Sequence, residues 1–376
     1  MRRKLCFLIR MLNEGGAQRQ LLELVRHLDK ARFDVTVLTF YPGGAFWPDF
    51  TQVKGLRLIS LDKRNRFDFL GFGARLILHL RSISPDIVHG YLIGGNLFGL
   101  LGKLFLPGVR LVWGIRTSET GRLSAGWDHR VALLERWCAR WPDKIILNSK
   151  AGLDKFAAKG YPLAKMEVIP NGIDVDKFKP DPFLRSEIRD SFDIGESVFL
   201  IGFVGRLVPA KNLPMLFRAA ALLKESRSGF RLLVVGGGTP DYERMLKEQA
   251  EEAGLFGIVD WSGLQERVHR FYPAFDVLTL ASEVEGFPNV LAEAMACGIP
   301  CVSTDVGDAA EIIGDCGRIV PQGDAGCMRD AWLDIWDHRE SFSAQASRTR
   351  ILENFSIDML LRRTEHALAM GKEGYR

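Results

Sequence analysis

Two carboxylates and two cations in the second half of the chain have the types and spacing to do chemistry together. Glu285 and Glu293, eight residues apart, flank the turn Gly286-Phe287-Pro288-Asn289-Val290. An apolar run of strand length, residues 276–281, precedes it, and Val290, Leu291, Ala294 and Met295 follow at helical spacing. In a strand–turn–helix unit the amides of Phe287, Asn289 and Val290 would point out of the helix start, where anions bind. Such a site can hold a phosphate on backbone amides while carboxylates accept hydrogen bonds from sugar hydroxyls. An ordinary strand–helix unit with incidental glutamates would carry the same residues, so the rest of the chain has to decide.

Arg206 and Lys211 leave a second predicted strand, residues 198–204, through Gly205-Arg206-Leu207-Val208-Pro209-Ala210-Lys211-Asn212. A helix carrying Leu216, Ala219, Ala220 and Leu223 follows. Two cations from one strand-end loop suit a diphosphate leaving group whose negative charge grows as a bond breaks. Two solvated surface cations are the competing reading. The strand over 230–235 ends in Gly236-Gly237-Gly238, which fails as a dinucleotide fingerprint because Asp241 stands where the last glycine belongs.

In the first half, a strand over 4–9 runs into Gly15-Gly16, a helix over 17–28 and a strand over 33–40. The glycine pair would let a phosphate or an acceptor approach the backbone at a helix start. His89 ends a strand at Ile87-Val88-His89, and Arg116 follows the strand over 111–115. Ligands of open α/β sheets gather at the carboxyl ends of strands, so His89 and Arg116 are candidate cleft residues. Arg116 could take an acceptor phosphate or carboxylate; His89 could equally be a satisfied strand-end residue. A helix over 127–141 carries Trp137, Cys138 and Trp141 among Arg130, Arg136 and Arg140, a pattern for core packing or for docking on a membrane surface.

The chain has 376 residues, enough for two domains at roughly 100–200 residues each. Residues 1–178 hold 28 Lys and Arg against 16 Asp and Glu, whereas residues 179–376 hold 22 against 30. A basic first half suggests an anionic partner or surface. Six cysteines form neither a CxxC pair nor a zinc spacing and read as thiols in a reducing compartment. The start, Met1-Arg2-Arg3-Lys4, leads into too short an apolar run for a signal peptide. Residues 91–113 contain Lys103, Pro107 and Arg110 and should not span a bilayer. A cytoplasmic enzyme is expected. Asp174-Val175-Asp176 has a metal–diphosphate form, but it follows Pro-Asn-Gly at a predicted linker, so no metal site is assigned. Strands alternating with helices in both halves indicate two doubly wound α/β domains with parallel sheets.

These motifs together resemble the GT-B retaining glycosyltransferases of family 4. Glu285 and Glu293 match the family's Glu-x7-Glu, Gly298-Ile299-Pro300 its following Gly-x-Pro, and Gly205-Arg206 with Lys211 its Gly-Arg-x4-Lys. Pro170-Asn171-Gly172-Ile173-Asp174 is similar to the interdomain segment, and Gly15-Gly16-Ala17-Gln18-Arg19 differs by one residue from Gly-Gly-Ala-Glu-Arg. The resemblance implies two facing Rossmann-like domains, 1–178 on the acceptor side and 179–355 for the nucleotide sugar, with a deep cleft between them. It also implies a crossover helix from 356 returning to the first domain. The implied reaction is hexosyl transfer from a UDP- or GDP-sugar to a lipid-linked, polysaccharide or lipopolysaccharide acceptor, with retention. By this resemblance Arg206, Lys211 and Glu285 are the catalytic group, and Gly16, Gly286, Phe287, Pro288, Asn289, Val290 and Glu293 also bind the donor. The base would sit against backbone at the exit of the strand around 259–264. His89 and Arg116 lie on the acceptor or cleft side, and Arg116 replaces a histidine common in the family. No metal, cofactor or nucleic acid is implied; peripheral inner-membrane contact through the basic domain is. Two alternatives are a GT-B nucleotide-sugar 2-epimerase, which lacks this motif combination, and a non-catalytic nucleotide-sugar sensor, against which the full set of charged residues argues.

Overall fold

The computed structural model describes residues 2–65, 67–116 and 127–369. The chain forms two compact units, one holding the residues up to Gly172 together with those from Ile357 on, the other Ile173–Ser356.

In chain order the first unit runs β1 (Arg3–Ile9), α1 (Gly16–His27), β2 (Phe33–Thr39), α2 (Trp47–Thr51), β3 (Leu56–Ser60), α3 (Phe69–Ile83) and β4 (Ile87–Tyr91). It continues with α4 (Leu92–Phe105), β5 (Arg110–Ile115), α5 (Trp127–Cys138), β6 (Lys144–Leu147), α6 (Lys150–Ala158) and β7 (Met166–Val168). Seven parallel strands pair in the order β3-β2-β1-β4-β5-β6-β7. Strand alternation divides the core between the two faces of the sheet. Leu5, Phe7 and Ile9 of β1 join the α1 side, whereas Cys6 and Leu8 join the side of Phe72, Leu76 and Leu80 of α3. Helix starts are set locally: Asp68 Oδ1 accepts from the Phe72 amide at 3.1 Å, and Ser149 Oγ from the Gly152 amide at 3.1 Å.

The second unit contains α7 (Pro182–Ser191), β8 (Phe199–Val204), α8 (Leu213–Ser226), β9 (Phe230–Val235), α9 (Pro240–Glu252), β10 (Val259–Gly263) and β11 (Val277–Leu280). Then follow α10 (Asn289–Ala296), β12 (Cys301–Thr304), α11 (Ala309–Ile313), β13 (Gly317–Val320), α12 (Ala325–Asp337) and α13 (Ala344–Asn354). Six parallel strands pair in the order β10-β9-β8-β11-β12-β13. The last helix, α14 (Ile357–Ala369), belongs to the first unit and packs on α1.

The expected boundary at 178 shifts. Residues 173–178 belong to the second unit because Phe178 packs edge-on against Tyr272, 5.6 Å between centroids. Arg348 fixes the same segment through the carbonyls of Phe178 and Val175, at 3.0 and 2.9 Å. Asp174 spends one oxygen on the amides of Asp176 and Lys177, so it caps a turn. Among the described residues there is no group of three or more His, Cys, Asp or Glu arranged to hold a metal ion, and no helix long and apolar enough to cross a membrane.

Of the two readings left open for α5, core packing does not hold for Trp137 and Trp141. Trp137 is 57 % exposed and packs edge-on against Trp141, also exposed, while the Arg140 guanidinium lies 4.7 and 5.4 Å from the two ring centroids. Leu133 and Leu134 are exposed one turn earlier. The inner face of α5 is held by buried Glu135, which accepts from Asn96 Nδ2 at 2.8 Å and from the Tyr161 hydroxyl at 3.3 Å. The side chain of Trp127 and residues 117–126 lie outside the described residues, as do residues 370–376 at the end of the expected crossover segment.

Candidate active site

Topology explains why Lys211 and Glu285 meet. Strand order in the second sheet reverses between β8 and β11, which are paired neighbours. Chain leaving the carboxyl ends of two such strands diverges to opposite sides and leaves a crevice where ligands bind. The loop after β8 carries Arg206 and Lys211, and the loop after β11 carries Glu285.

Backbone contacts fix both loops. The Glu283 amide donates to the Ala210 carbonyl at 2.9 Å, so the second loop is tied to the residue before Lys211. The Leu207 amide donates to the Gly237 carbonyl at 2.8 Å. The chain then makes a single 3-10 turn over Pro209–Lys211 and reverses at left-handed Asn212 before α8. From behind, Thr304 Oγ1 donates to the Ser282 carbonyl at 2.7 Å, and the Asp308 amide to the Gly286 carbonyl at 2.9 Å. Gly307 permits that approach: its φ is +54°, and a Cβ there would lie 2.4 Å from Gly286 O and 2.8 Å from Glu285 O.

The outcome is an ion pair between Lys211 Nζ and Glu285 Oε1, the two side chains 20 % and 15 % exposed. Arg206 is exposed and makes no ion pair with any described residue. Helix α10 opens at Asn289 behind Pro288 and has no acidic residue in its first turn, so its positive end is not offset by its own side chains. Gly286 and the amide-bearing turn Phe287–Val290 therefore stand beside a cation–carboxylate pair with a second cation on the neighbouring loop. That combination can hold a diphosphate and the hydroxyls of an attached sugar.

Glu293 stands apart from this cluster. It is 3 % exposed within α10, and Tyr272, itself buried, donates its hydroxyl to Glu293 Oε2. Sequence reasoning missed Tyr272; a tyrosine 21 residues upstream in a short 3-10 turn gives no periodic signal.

The remaining candidates, Gly16, Arg116 and His89, belong to the first unit, and the first two follow the carboxyl ends of its strands. Gly16, exposed, is the first residue of α1, whose first turn also lacks an acid. Arg116 follows β5 and is nearly buried; its Nη1 donates to Asn171 Oδ1 and its Nη2 to the Tyr91 hydroxyl, each at 3.1 Å. Asn171 is held in place by its neighbour, since Gln20 bonds both the amide and the carbonyl of Gly172 at 2.9 and 3.0 Å. His89 does not reach that edge. It lies inside the layer between Phe7 and Tyr91, centroids 5.3 and 4.9 Å away, with neither ring nitrogen bonded among the described residues. Burial first, and then the Arg116 charge, push its pKa well below the usual histidine value, so it is neutral. The ring thus supports Tyr91 from below.

Two doubly wound parallel sheets with a charged cluster at the second sheet's switch point define the GT-B type of α/β protein. Solved structures of the same fold include HepE of Anabaena in complex with UDP and glucose, at a TM-score of 0.85, 22 % identity and coverage of 98 % of this chain and 100 % of that one. WaaG, described as a glycosyltransferase involved in lipopolysaccharide biosynthesis, follows at a TM-score of 0.71, 19 % identity and coverage of 98 % and 100 %. Residues 14–177 match Glycosyltransferase Family 4 and residues 198–338 match Glycosyl transferases group 1, and the chain belongs to this family of glycosyltransferases. Among relatives, EpsF of Bacillus subtilis is 28 % identical over 78 % of this chain and 77 % of its own length. The lipopolysaccharide core biosynthesis mannosyltransferase LpsB of Rhizobium meliloti is 28 % identical over 69 % and 72 %. The D-inositol 3-phosphate glycosyltransferase of Corynebacterium urealyticum is 32 % identical over 66 % and 62 %.

Proposed function

We propose that this protein transfers a hexose from a UDP- or GDP-sugar to a lipid-linked, polysaccharide or lipopolysaccharide acceptor, retaining the anomeric configuration and using no divalent metal. The observation that carries this reading is the Lys211–Glu285 pair at the switch point, with exposed Arg206, which has no ion-pair partner among the described residues, on the same loop as Lys211 and an acid-free helix start following Glu285. In the reaction the bond from the sugar's anomeric carbon to the β-phosphate oxygen breaks and its electron pair leaves with the nucleoside diphosphate, while the acceptor hydroxyl oxygen bonds to the anomeric carbon and passes its proton to the departing phosphate oxygen. Arg206, Lys211 and the amides of Gly286, Phe287, Asn289 and Val290 stabilise that growing charge, while Pro288 fixes the turn. Two cations and a helix start supply what a metal would otherwise supply.

Glu285 accepts hydrogen bonds from the donor-sugar hydroxyls, and its pairing with Lys211 keeps both groups ordered before the donor arrives. Glu293, with one oxygen held by Tyr272, accepts from the ribose hydroxyls. Gly16 is assigned to the donor diphosphate by its motif alone. Retention and donor class rest on the family, and LpsB, a lipopolysaccharide core enzyme by name, supports the acceptor class. We further propose that α5 touches an anionic lipid surface at the inner face of the membrane, because exposed Leu133, Leu134, Trp137 and Trp141 stand among Arg136 and Arg140 in a basic half-chain.

The test is incubation with labelled UDP- and GDP-sugars and a panel of lipid-linked acceptors, following free nucleotide and product. Acceptor-dependent nucleotide release supports transfer. Epimerised donor without acceptor dependence would replace the reading with an epimerase, and binding without turnover across the panel would replace it with a sensor.

A further inference from the structure

Arg116 carries a charge that the described protein does not neutralise. Its side chain is 8 % exposed, yet no carboxylate among the described residues pairs with it. Both of its hydrogen-bond partners among the described residues, Asn171 Oδ1 and the Tyr91 hydroxyl, are neutral, and the buried Nε–H has none among them. The same chain shows what a structural buried arginine looks like. Arg189, 1 % exposed, has Asp276 at 3.4 Å and Glu196 at 3.9 Å and donates to the carbonyls of Ala274 and Gly195 at 2.8 and 2.9 Å; its Nε–H also lacks a hydrogen-bond partner among the described residues, so the difference lies in the counter-charge. A buried cation without a counter-charge is costly, and removing one partner of such a pair is strongly destabilising. Arg116 is therefore built for a charge that arrives from outside.

The surroundings support this. The Arg116 guanidinium carbon lies 5.1 Å from the Tyr91 ring centroid, so the ring fixes the plane of the fork. The Tyr91 hydroxyl accepts from Arg116 and keeps its own proton to donate. Burial raises the Tyr91 pKa, which keeps that proton in place. Neutral His89 beneath adds no second cation. Gln20 anchors the Gly172 backbone next to Asn171, which accepts from one arm of the guanidinium.

We propose that Arg116 and Tyr91 form the seat for an anionic oxygen group, a phosphate or a carboxylate, carried by the acceptor. The acceptor assignment rests on the glycosyltransferase reading; the anion seat itself does not. Arg116 binds through a planar fork that suits either group bidentately, and the Tyr91 hydroxyl adds a third donor.

The test is calorimetric titration of wild type, Arg116→Gln and Arg116→Lys with sn-glycerol 3-phosphate, glucuronate and neutral glucose, each variant also titrated with UDP and GDP. Wild type should bind one of the anions at least tenfold more tightly than glucose; which one identifies phosphate or carboxylate. Arg116→Gln should abolish that preference, Arg116→Lys should keep part of it, and nucleotide affinity should stay within twofold in both, which also reports folding. Failure of wild type to prefer either anion, or an unchanged preference in Arg116→Gln, would overturn the proposal. Loss of nucleotide binding in parallel with anion binding, in a variant that melts like wild type, would move Arg116 to the donor and overturn the acceptor assignment. If wild type transfers no sugar to any acceptor yet loses its anion preference in Arg116→Gln, the enzymatic reading falls and the seat stands.

Discussion

Replacing Lys211 by alanine probes the site most sharply, because Lys211 has one partner without ligand and a second in the proposed transition state. Loss of one preorganised donor at a developing oxyanion costs ~3–4 kcal/mol. Part of that is offset here, since Lys211 Nζ already bonds Glu285 and must weaken that contact to follow the phosphate. A partly exposed pair of this kind contributes about 1 kcal/mol. The net loss should be about 2–3 kcal/mol, or roughly a 30- to 160-fold fall in rate. It should appear mainly in kcat, because the charge develops after binding. The assay is nucleotide release from the donor at saturating acceptor, with thermal melting alongside. The melting temperature should fall by only a few degrees. The double variant Lys211→Met with Glu285→Met, which exchanges the pair for apolar side chains of similar length, should melt close to wild type and stay inactive. Recovery of turnover in the double variant would show that the pair is a structural brace. Wild-type turnover in Lys211→Ala would refute the reasoning at its root.

Three further outcomes are expected. Gly307→Ala places a methyl against Gly286 O and Glu285 O at a left-handed φ, so it should displace the Glu285 loop and lower turnover more than tenfold, with a stability loss of about 1–3 kcal/mol; unchanged kinetics would show that the loop tolerates the shift. Glu135 is pushed by burial from 4.5 to about 7, against the opposing hydrogen bonds of Asn96 and Tyr161. Its carboxyl therefore binds more protons folded than unfolded between those values, so its contribution is fully present below about pH 4.5 and is lost as pH rises through 7, by about 3 kcal/mol. Glu135→Gln should gain on wild type in denaturant unfolding at pH 8 and match it near pH 4.5; parallel profiles would rule this out. Replacing Arg136 and Arg140 by glutamine should reduce partition onto phosphatidylglycerol vesicles at low salt and leave nucleotide affinity alone, and an unchanged partition would return α5 to an ordinary surface.

Much of this was legible in the sequence wherever local chemistry sets the outcome. Strands and helices alternate in pattern, the ends of β8 and β11 fall within a residue of expectation, and α10 contains the apolar positions read at helical spacing. Glu285 and Lys211 were readable as a set because each sits in a strand-end loop, and in a doubly wound sheet such loops flank the crevice at the switch point. What the sequence did not disclose depends on contacts between distant segments. Tyr272 reaches Glu293, and Asn171 reaches Arg116 over 55 residues; neither partner is periodic or charged. His89 was misplaced by two residues of reach: β4 extends to Tyr91, so the strand end belongs to the tyrosine and the histidine turns inward. The tryptophans of α5 carry the same letters whether buried or exposed, and only packing against α4 and Tyr161 decided which face of the helix turns in.

The central claim is sugar transfer with retention at a metal-independent site. It is tested most directly by nuclear magnetic resonance of the anomeric proton and carbon of the product formed, in EDTA, from a donor labelled at its anomeric carbon. The account predicts an acceptor-linked product with the donor's anomeric configuration, formed at the same rate with and without EDTA. An inverted configuration, or a rate abolished by EDTA and restored by a divalent ion, would contradict it.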